Sequence, residues 1–293
     1  MIVGQRANIL PGREGERPKL AWFFPIRSCV SGNRRYSIAM SQPPAPLKLG
    51  VNVDHVATLR QARYAPDPSA HNAEPSLLAA AHEAEAAGAD SITIHLRLDR
   101  RHIQDADVFE LRRGIHTKLN LEMGNTPEIL EIALRAKPDF VCLVPENRRE
   151  ITTEGGLNVA NADTSLERTV RRLQDAGIRV SLFVDPEPQQ ILASARIGAD
   201  MVELHTGAFA NASPDGGETE FAALREAAIL ADEGGLQVNA GHGINLVNLP
   251  KLMRVPRLAE LNVGHHLVAR SVFVGLARSI RDFKALMASY PLD

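Results

Sequence analysis

From residue 49 onward the chain carries eight short apolar runs, and each stops in polar, charged or glycine residues. They are 49–55 (LGVNVDH), 89–96 (ADSITIHL), 118–124 (KLNLEMG), 140–146 (FVCLVPE), 179–185 (RVSLFVD), 201–207 (MVELHTG), 236–243 (LQVNAGHG) and 258–266 (LAELNVGHH). β-Branched content and alternation predict a buried strand in each. Helical patterns fill the gaps at 75–87, 105–115, 127–135, 165–176, 188–196, 219–233, 246–253 and 268–289. Pro75, Pro127 and Pro188 suit the opening of a helix, and Gly88 and Gly177 suit its close. AGADSI (87–92), AGIRV (176–180) and IGADMV (197–202) recur where a helix gives way to a strand. There a glycine turns left-handed and an apolar strand begins. Eight such units, with no G-x-G-x-x-G after the first run, predict the α/β class. The expected architecture is one closed (β/α)8 TIM barrel over 49–293 rather than an open doubly wound sheet.

Residues 1–48 break this pattern. Pro11, Pro18, Pro25, Pro43, Pro44 and Pro46 interrupt any periodicity, and residues 1–39 hold seven basic groups against two acids. The apolar stretch around Trp22 is short and stopped by Pro25, unlike a secretory h-region. The segment reads as a disordered extension, or as an over-called start with Met40 as initiator. With 44% hydrophobic and 23% charged residues the chain is an ordinary globular protein. A net charge of −2 gives no whole-chain case for binding nucleic acid or a membrane surface. No apolar stretch approaches a membrane span. Cys29 and Cys142 stand far apart, so no disulfide framework is expected, and the cytoplasm is the expected compartment.

Seven of the eight strand ends carry a histidine or a glutamate. In a barrel of this kind the C-terminal strand ends build the active site. Run 1 supplies Asn52, Asp54 and His55, followed by Thr58, Arg60 and Arg63. On strand alternation Asn52 and Asp54 share a face. The Asp-His pair reads either as a structural hydrogen bond or as part of the site. Run 2 ends in His95 and Arg97, then Asp99-Arg100-Arg101-His102. A guanidinium grips a phosphate with a bidentate fork while an imidazole moves protons; Arg100 and Arg101 fit a solvated loop equally well. Run 3 places Asn120 and Glu122 in a core strand, where a carboxylate is costly unless it faces a polar cavity. Burial there raises its pKa toward neutrality, as a proton shuttle requires. The segment 147–158 (NRREITTEGGLN) has the composition of a lid. Run 6 gives Glu203 and His205, while run 5, ending in Asp185-Pro186, says least. Runs 7 and 8 repeat Asn-x-Gly-His, with His242 between Gly241 and Gly243, and with Gly264, His265 and His266. Small residues there let backbone N–H groups approach an anion. His242 is the best candidate acid or base. Of His265 and His266, one is expected to face the pocket and the other to pack on the final helix. No strand offers H-x-H or H-E-x-x-H, so a metal centre is a secondary reading.

VNVDHVATLRQAR (51–63), ITIHLRLDRRHI (92–103), NLEM (120–123), LVPENRREITTEGGL (143–157), VELHTG (202–207), VNAGHGI (238–244) and LNVGHH (261–266) together resemble the pyridoxine 5'-phosphate synthase (PdxJ) family. The likeness covers 49–287. The stretch 64–76 is longer than the family pattern, and 1–48 lies outside it. The resemblance implies condensation of 1-deoxy-D-xylulose 5-phosphate with 3-amino-2-oxopropyl phosphate, giving pyridoxine 5'-phosphate, phosphate and water. It implies no organic cofactor, no catalytic metal and a homo-octamer. By motif, His95 and Glu122 resemble the proton acceptors and His242 the proton donor. Asp54, His55, Arg97, His102 and Thr152 resemble contacts to the deoxyxylulose phosphate. Asn52, Arg63, Gly243, Gly264 and His265 resemble contacts to the amino-ketone phosphate, and Glu203 a further polar group of the pocket. Two other expectations stay open: a metal-dependent phosphosugar epimerase on the same barrel, and a non-catalytic barrel that binds a phosphorylated metabolite.

Overall fold

The computed structural model describes residues 46–146 and 155–291. In chain order the elements are β1 (Lys48–Asn52), α1 (Asp54–Tyr64), α2 (Leu77–Ala86), β2 (Ser91–His95), α3 (Asp105–Gly114), β3 (Lys118–Met123), α4 (Pro127–Ala136) and β4 (Phe140–Leu143). Then follow α5 (Thr164–Asp175), β5 (Arg179–Val184), α6 (Pro188–Arg196), β6 (Met201–His205), α7 (Gly207–Ala212), α8 (Glu218–Glu233), β7 (Gln237–Gly241), α9 (Leu249–Leu252), β8 (Leu258–Val263), α10 (His265–Val274) and α11 (Leu276–Met287). All neighbouring strands pair in parallel, and β1 closes on β8 through Lys48↔Glu260 to Val51↔Val263. This is the expected (β/α)8 TIM barrel, and each of the eight runs supplies one strand. No described helix is long and apolar enough to cross a membrane.

The strands alternate within their buried length. Ile92, Ile94, Leu119, Leu121, Val180, Leu182, Val202 and Leu204 join the main core that the helices cover. The alternate positions build a polar barrel interior. Ser91 Oγ donates to Glu260 at 2.6 Å, Thr93 Oγ1 to Asn262 at 3.0 Å, and Asn262 Nδ2 to Glu203 at 2.6 Å. Only Cys142, Val144 and Phe183 form a separate small apolar cluster among the described residues. Gly50 makes room for this column, since a Cβ there would lie 2.0 Å from Asn262 Oδ1.

Several boundaries differ from expectation. The first strand stops at Asn52, and Asp54 opens α1 rather than sharing a strand face with Asn52. The cause is local: Asn52 Oδ1 accepts from Asp54 N at 2.9 Å, an Asx turn that reverses the chain. Pro75 does not open α2. Ser76 is its N-cap, with Oγ accepting from Ala79 N at 3.2 Å. Pro127 and Pro188 do stand at the first turns of α4 and α6. The single helix expected at 268–289 is two, divided at Gly275, whose φ of 82° no helix accommodates. Helix α7, six residues long and with Phe209 as its one large side chain, carries no periodicity to read. Most of the expected N-terminal extension, 1–45, lies outside the described residues, as do Thr152 and the segment 147–154 of the expected lid.

Candidate active site

The C-terminal ends of β1, β2 and β3 bring three candidate side chains together. Asp54, at the first turn of α1, accepts through Oδ1 from the backbone N–H of His95 at 2.8 Å. Its Oδ2 accepts from Asn52 Nδ2 at 3.0 Å. His95 and Glu122 are direct register partners on adjacent strands, so their side chains share a face. His95 Nδ1 lies 3.9 Å from Glu122 Oε2. Glu122 carries a carboxyl pushed well above the usual carboxylate range, first by burial and then by the nearby Glu203 and Asp54 charges.

A further carboxylate that the motif reading passed over completes this cluster. Glu146, just past β4, reaches His95 Nε2 at 3.2 Å. It also accepts from the backbone N–H groups of Leu98 at 3.0 Å and Gly124 at 3.2 Å. Burial opposes its charge, yet these donations hold its pKa below the ordinary glutamate value. Glu146 and Glu122 thus flank one imidazole with carboxyl groups displaced in opposite directions. The His102 ring stands 6.2 Å from that of His95, and burial lowers its pKa. Arg97 is buried at the same end, with Nε 3.6 Å from Asp99 Oδ1.

A second cluster joins β5, β6 and β7. His242, which follows β7, has a φ of 89°. Left-handed backbone at a residue other than glycine is strained, and such strain concentrates at functional sites. Thr206 Oγ1 secures it by donating to the Gly241 carbonyl at 2.8 Å and the His242 carbonyl at 2.5 Å. Burial, then the neighbouring His205, lowers the His242 pKa to about 4, which favours the neutral imidazole. The His205 and His242 ring centroids are 5.1 Å apart, edge to face. His205 Nδ1 pairs with Asp185 Oδ1 at 2.8 Å, while its buried Nε2 has no hydrogen-bond partner among the described residues. Run 5, the least informative end in the sequence, therefore supplies the carboxylate that orients His205. The signal was Asp185 itself; its partner is set by the packing of β5 beside β6.

Below these clusters Glu203 is buried within the barrel, and burial raises its pKa to about 7. Gly241 leaves room beside it, because a Cβ there would lie 2.1 Å from Glu203 Oε1 and displace that carboxyl. On the far side His265 is the first residue of α10 and its ring meets that of His55 at 4.9 Å. Burial and then the His265 charge lower the His55 pKa, against the pull of Asp54. His266 turns instead to Phe283 of α11, with ring centroids 6.1 Å apart, the division expected for this pair. Gly264 packs against Asn52, where a Cβ would sit 3.1 Å from its side chain. Gly243 has a φ of 74° and continues the glycine-flanked turn. The N-terminus of α10 with these small residues forms a surface suited to an anion.

Two arginines of run 1 stand away from the clusters. Arg60 is buried in a bidentate pair with Asp107, at 2.7 Å for both contacts, and so serves structure. Arg63 is exposed in the last turn of α1, about 13 Å along the helix from Asp54 at 1.5 Å per residue. Asp54, His95 and Glu122 offer ligand atoms within 4.8 Å of one another, a grouping assembled from three elements that no local spacing reveals.

The fold resembles other barrels at low sequence identity. Phosphoribosylanthranilate isomerase from Thermotoga maritima aligns with a TM-score of 0.51 at 12% identity, covering 82% of this chain and 98% of that one. The tryptophan synthase A-subunit from Pyrococcus furiosus aligns with a TM-score of 0.51 at 14% identity, covering 85% and 98%. These likenesses bear on the fold alone. Sequence relatives are far closer. Pyridoxine 5'-phosphate synthase of Akkermansia muciniphila is 56% identical over 237 residues, spanning 80% of this chain and 96% of the relative. Its counterpart from Geobacter metallireducens is 52% identical over 241 residues, spanning 82% and 98%. The profile of the family described as pyridoxal phosphate biosynthesis protein PdxJ matches residues 49–289. With its closed barrel, its clustered strand ends and these relatives, the chain belongs to the PdxJ family of pyridoxal phosphate biosynthesis proteins.

Proposed function

We propose that this enzyme is a pyridoxine 5'-phosphate synthase. It condenses 1-deoxy-D-xylulose 5-phosphate with 3-amino-2-oxopropyl phosphate to pyridoxine 5'-phosphate, releasing inorganic phosphate and water, by acid–base catalysis without a metal. The observation that carries this reading is the His95–Glu122 pair, 3.9 Å apart at adjoining strand ends, in a chain 56% identical to a relative of that name. Imine formation, elimination of phosphate and ring closure each require protons to be added and removed within one closed site. Glu122, whose pKa is raised by burial, is a stronger base than an ordinary carboxylate and accepts a proton from the substrate. His95 exchanges protons beside it. His242, with its lowered pKa, gains a proton when a phosphate dianion approaches and raises that pKa, and then donates it.

In this reading Asp54, His55, Arg97, His102 and Thr152 hold the deoxyxylulose phosphate. Asn52, Gly243, Gly264 and His265 hold the amino-ketone phosphate, whereas Arg63, which the family motif adds to this set, stands away from them in the last turn of α1. Contact between His55 and His265 brings the two proposed anion sites side by side, as a condensation requires. Glu203 supplies a further polar group beneath the reacting atoms. Residues 147–158 act as a lid that excludes water from reactive imines. Gly124 and Leu98 donating to Glu146 at one end of that segment, and Gly156 packing on Asp185 at the other, tie its base to both clusters. We further propose a cytoplasmic homo-octamer whose catalytic domain is 49–293; the solvent-exposed Val272 and Phe273 on α10, the latter 86% exposed, suit burial against another copy.

The test is one incubation with both substrates, followed by phosphate release and by pyridoxine 5'-phosphate fluorescence. Both signals are expected only when both substrates are present. The Asp54–His95–Glu122 grouping favours one other reading, a metal-dependent epimerase. Both Asp54 oxygens accept hydrogen bonds, from His95 N and Asn52 Nδ2, so an ion there would share that carboxylate with both donors. Activity lost on EDTA treatment and restored by one divalent ion would establish the metal reading. Binding of either phosphate ester without turnover would establish a non-catalytic barrel.

A further inference from the structure

We propose that His82, Glu85 and His116 form a surface site for a first-row transition-metal ion of the zinc class, held by two imidazoles and one carboxylate at the end of the barrel opposite the candidate active site. The three residues offer ligand atoms within 4.8 Å of one another. His82 and Glu85 lie three apart on α2 and so share one helix face. His116 comes from the turn between α3 and β3.

Close packing of the two elements brings them together. Gly114, at the end of α3, lets α2 approach: a Cβ there would lie 2.5 Å from Leu78 Cδ1. The donor set is already oriented. His82 Nε2 lies 2.9 Å from the Gly114 carbonyl, which only accepts, so Nε2 carries the proton and Nδ1 presents its lone pair. A backbone carbonyl holding the far nitrogen of a ligating histidine is the usual outer contact of such sites. Glu85 Oε1 accepts from His116 N at 2.6 Å, Thr117 N at 2.7 Å and Thr117 Oγ1 at 2.9 Å. That leaves Oε2, which lies 3.3 Å from His116 Nδ1, as the ligand atom.

The ring geometry fits an ion between the imidazoles. Zn–N bonds of about 2.0–2.1 Å at a tetrahedral angle put the ring centroids roughly 5.3 Å apart and the donor atoms roughly 3.3 Å apart. The centroids of His82 and His116 are 5.9 Å apart. The His116 side chain is 86% exposed and free to close the remaining gap, whereas Glu85 is 11% exposed and fixed. Three protein ligands leave a position for water. The site is distant from chemistry, because Thr117 lies about 16 Å from Glu122 along β3 at 3.3 Å per residue. A bound ion ties α2 to the strand entrance and stabilises the barrel without entering the reaction.

The experiment titrates chelator-stripped full-length protein with Zn2+ and, separately, with Co2+. Calorimetry, the Co2+ visible spectrum and thermal unfolding are read together. One equivalent is expected to bind, with an upward shift of several degrees in the unfolding midpoint. His82→Ala and His116→Ala, both exposed positions, are each expected to weaken binding at least tenfold and to remove the shift. Glu122→Gln is expected to keep both, which separates this site from the Asp54–His95–Glu122 grouping. No binding by the wild-type protein, equal binding by the two histidine variants, or loss of binding in Glu122→Gln would each overturn the assignment.

Discussion

Replacing Gly207 with alanine tests the second cluster without touching a titratable group. Gly207 opens α7, and a Cβ built there lies 2.4 Å from His205 Nε2 and 3.1 Å from His242 Cδ2. Ordinary contact needs about 3.4 Å, so the His205 ring must move by roughly 1 Å. It has nowhere to go at no cost: Asp185 holds Nδ1 at 2.8 Å, and Phe183 packs on the ring with centroids 5.0 Å apart. Losing the Asp185 contact costs about 1.5–3 kcal/mol for a charged hydrogen bond, and less here because the Asp185 side chain is 40% exposed. The alanine returns a few tenths to about 1 kcal/mol through backbone entropy. The net loss of stability is therefore about 1 kcal/mol, or a fall of roughly 2–4 °C in Tm. A 1 Å displacement beside a reacting group costs on the order of a hundredfold in turnover. Thermal unfolding and phosphate release under saturating substrates measure the two effects. A variant that keeps wild-type kcat would remove the His205–His242 contact from the mechanism, and one that unfolds broadly would make the contact structural.

Glu122→Gln is expected to lower kcat by about 10²–10⁴ while leaving Tm within a few degrees, because an amide matches the carboxyl in size and shape but cannot accept the proton; near-wild-type turnover would exclude it. Glu203 has a folded pKa of about 7, above its unfolded value of 4.5, so the folded state holds a proton that the unfolded chain releases. Its contribution to stability is full below pH 4.5 and is lost as pH rises through 7; Glu203→Gln should flatten the unfolding free energy across that window, and an unchanged slope would refute the assignment. His242 works the other way, with a folded pKa of about 4 below 6.5: its contribution is full above pH 6.5 and is lost as pH falls through 4, so His242→Asn should reduce acid sensitivity there. Arg60→Met leaves Asp107 buried and unpaired and should cost about 3–5 kcal/mol, with Arg60→Met/Asp107→Asn recovering part of it. Denaturant titration of the three proteins measures that recovery, and purely additive losses would contradict the pair's importance.

The strand count, the closed barrel and the gathering of polar side chains at the strand ends were all legible along the chain. Alternation with period two is a local property, and it survives folding because the helices bury one strand face. That is why Ile92, Ile94, Leu119 and Leu121 could be assigned to the core, and His95 and Glu122 to the polar face, from spacing alone. His242 stood out in the sequence by its flanking glycines, but its left-handed backbone, with a φ of 89°, emerged only in the structure. Where one strand or helix ends was less legible. Asn52 captures the Asp54 N–H and starts a helix where the pattern still reads as strand.

The pairings belong to the tertiary structure. Glu146 meets His95 across 51 residues, Asp185 meets His205 across 20, and Asp54 meets the His95 backbone across 41. The sequence by itself determined which residue types stand at the strand ends and, within the strands, which way they face. Only closure of the barrel decided which carboxylate holds which imidazole. Those contacts depend on strand neighbours and register, and the pKa values follow from the burial and charge that closure brings.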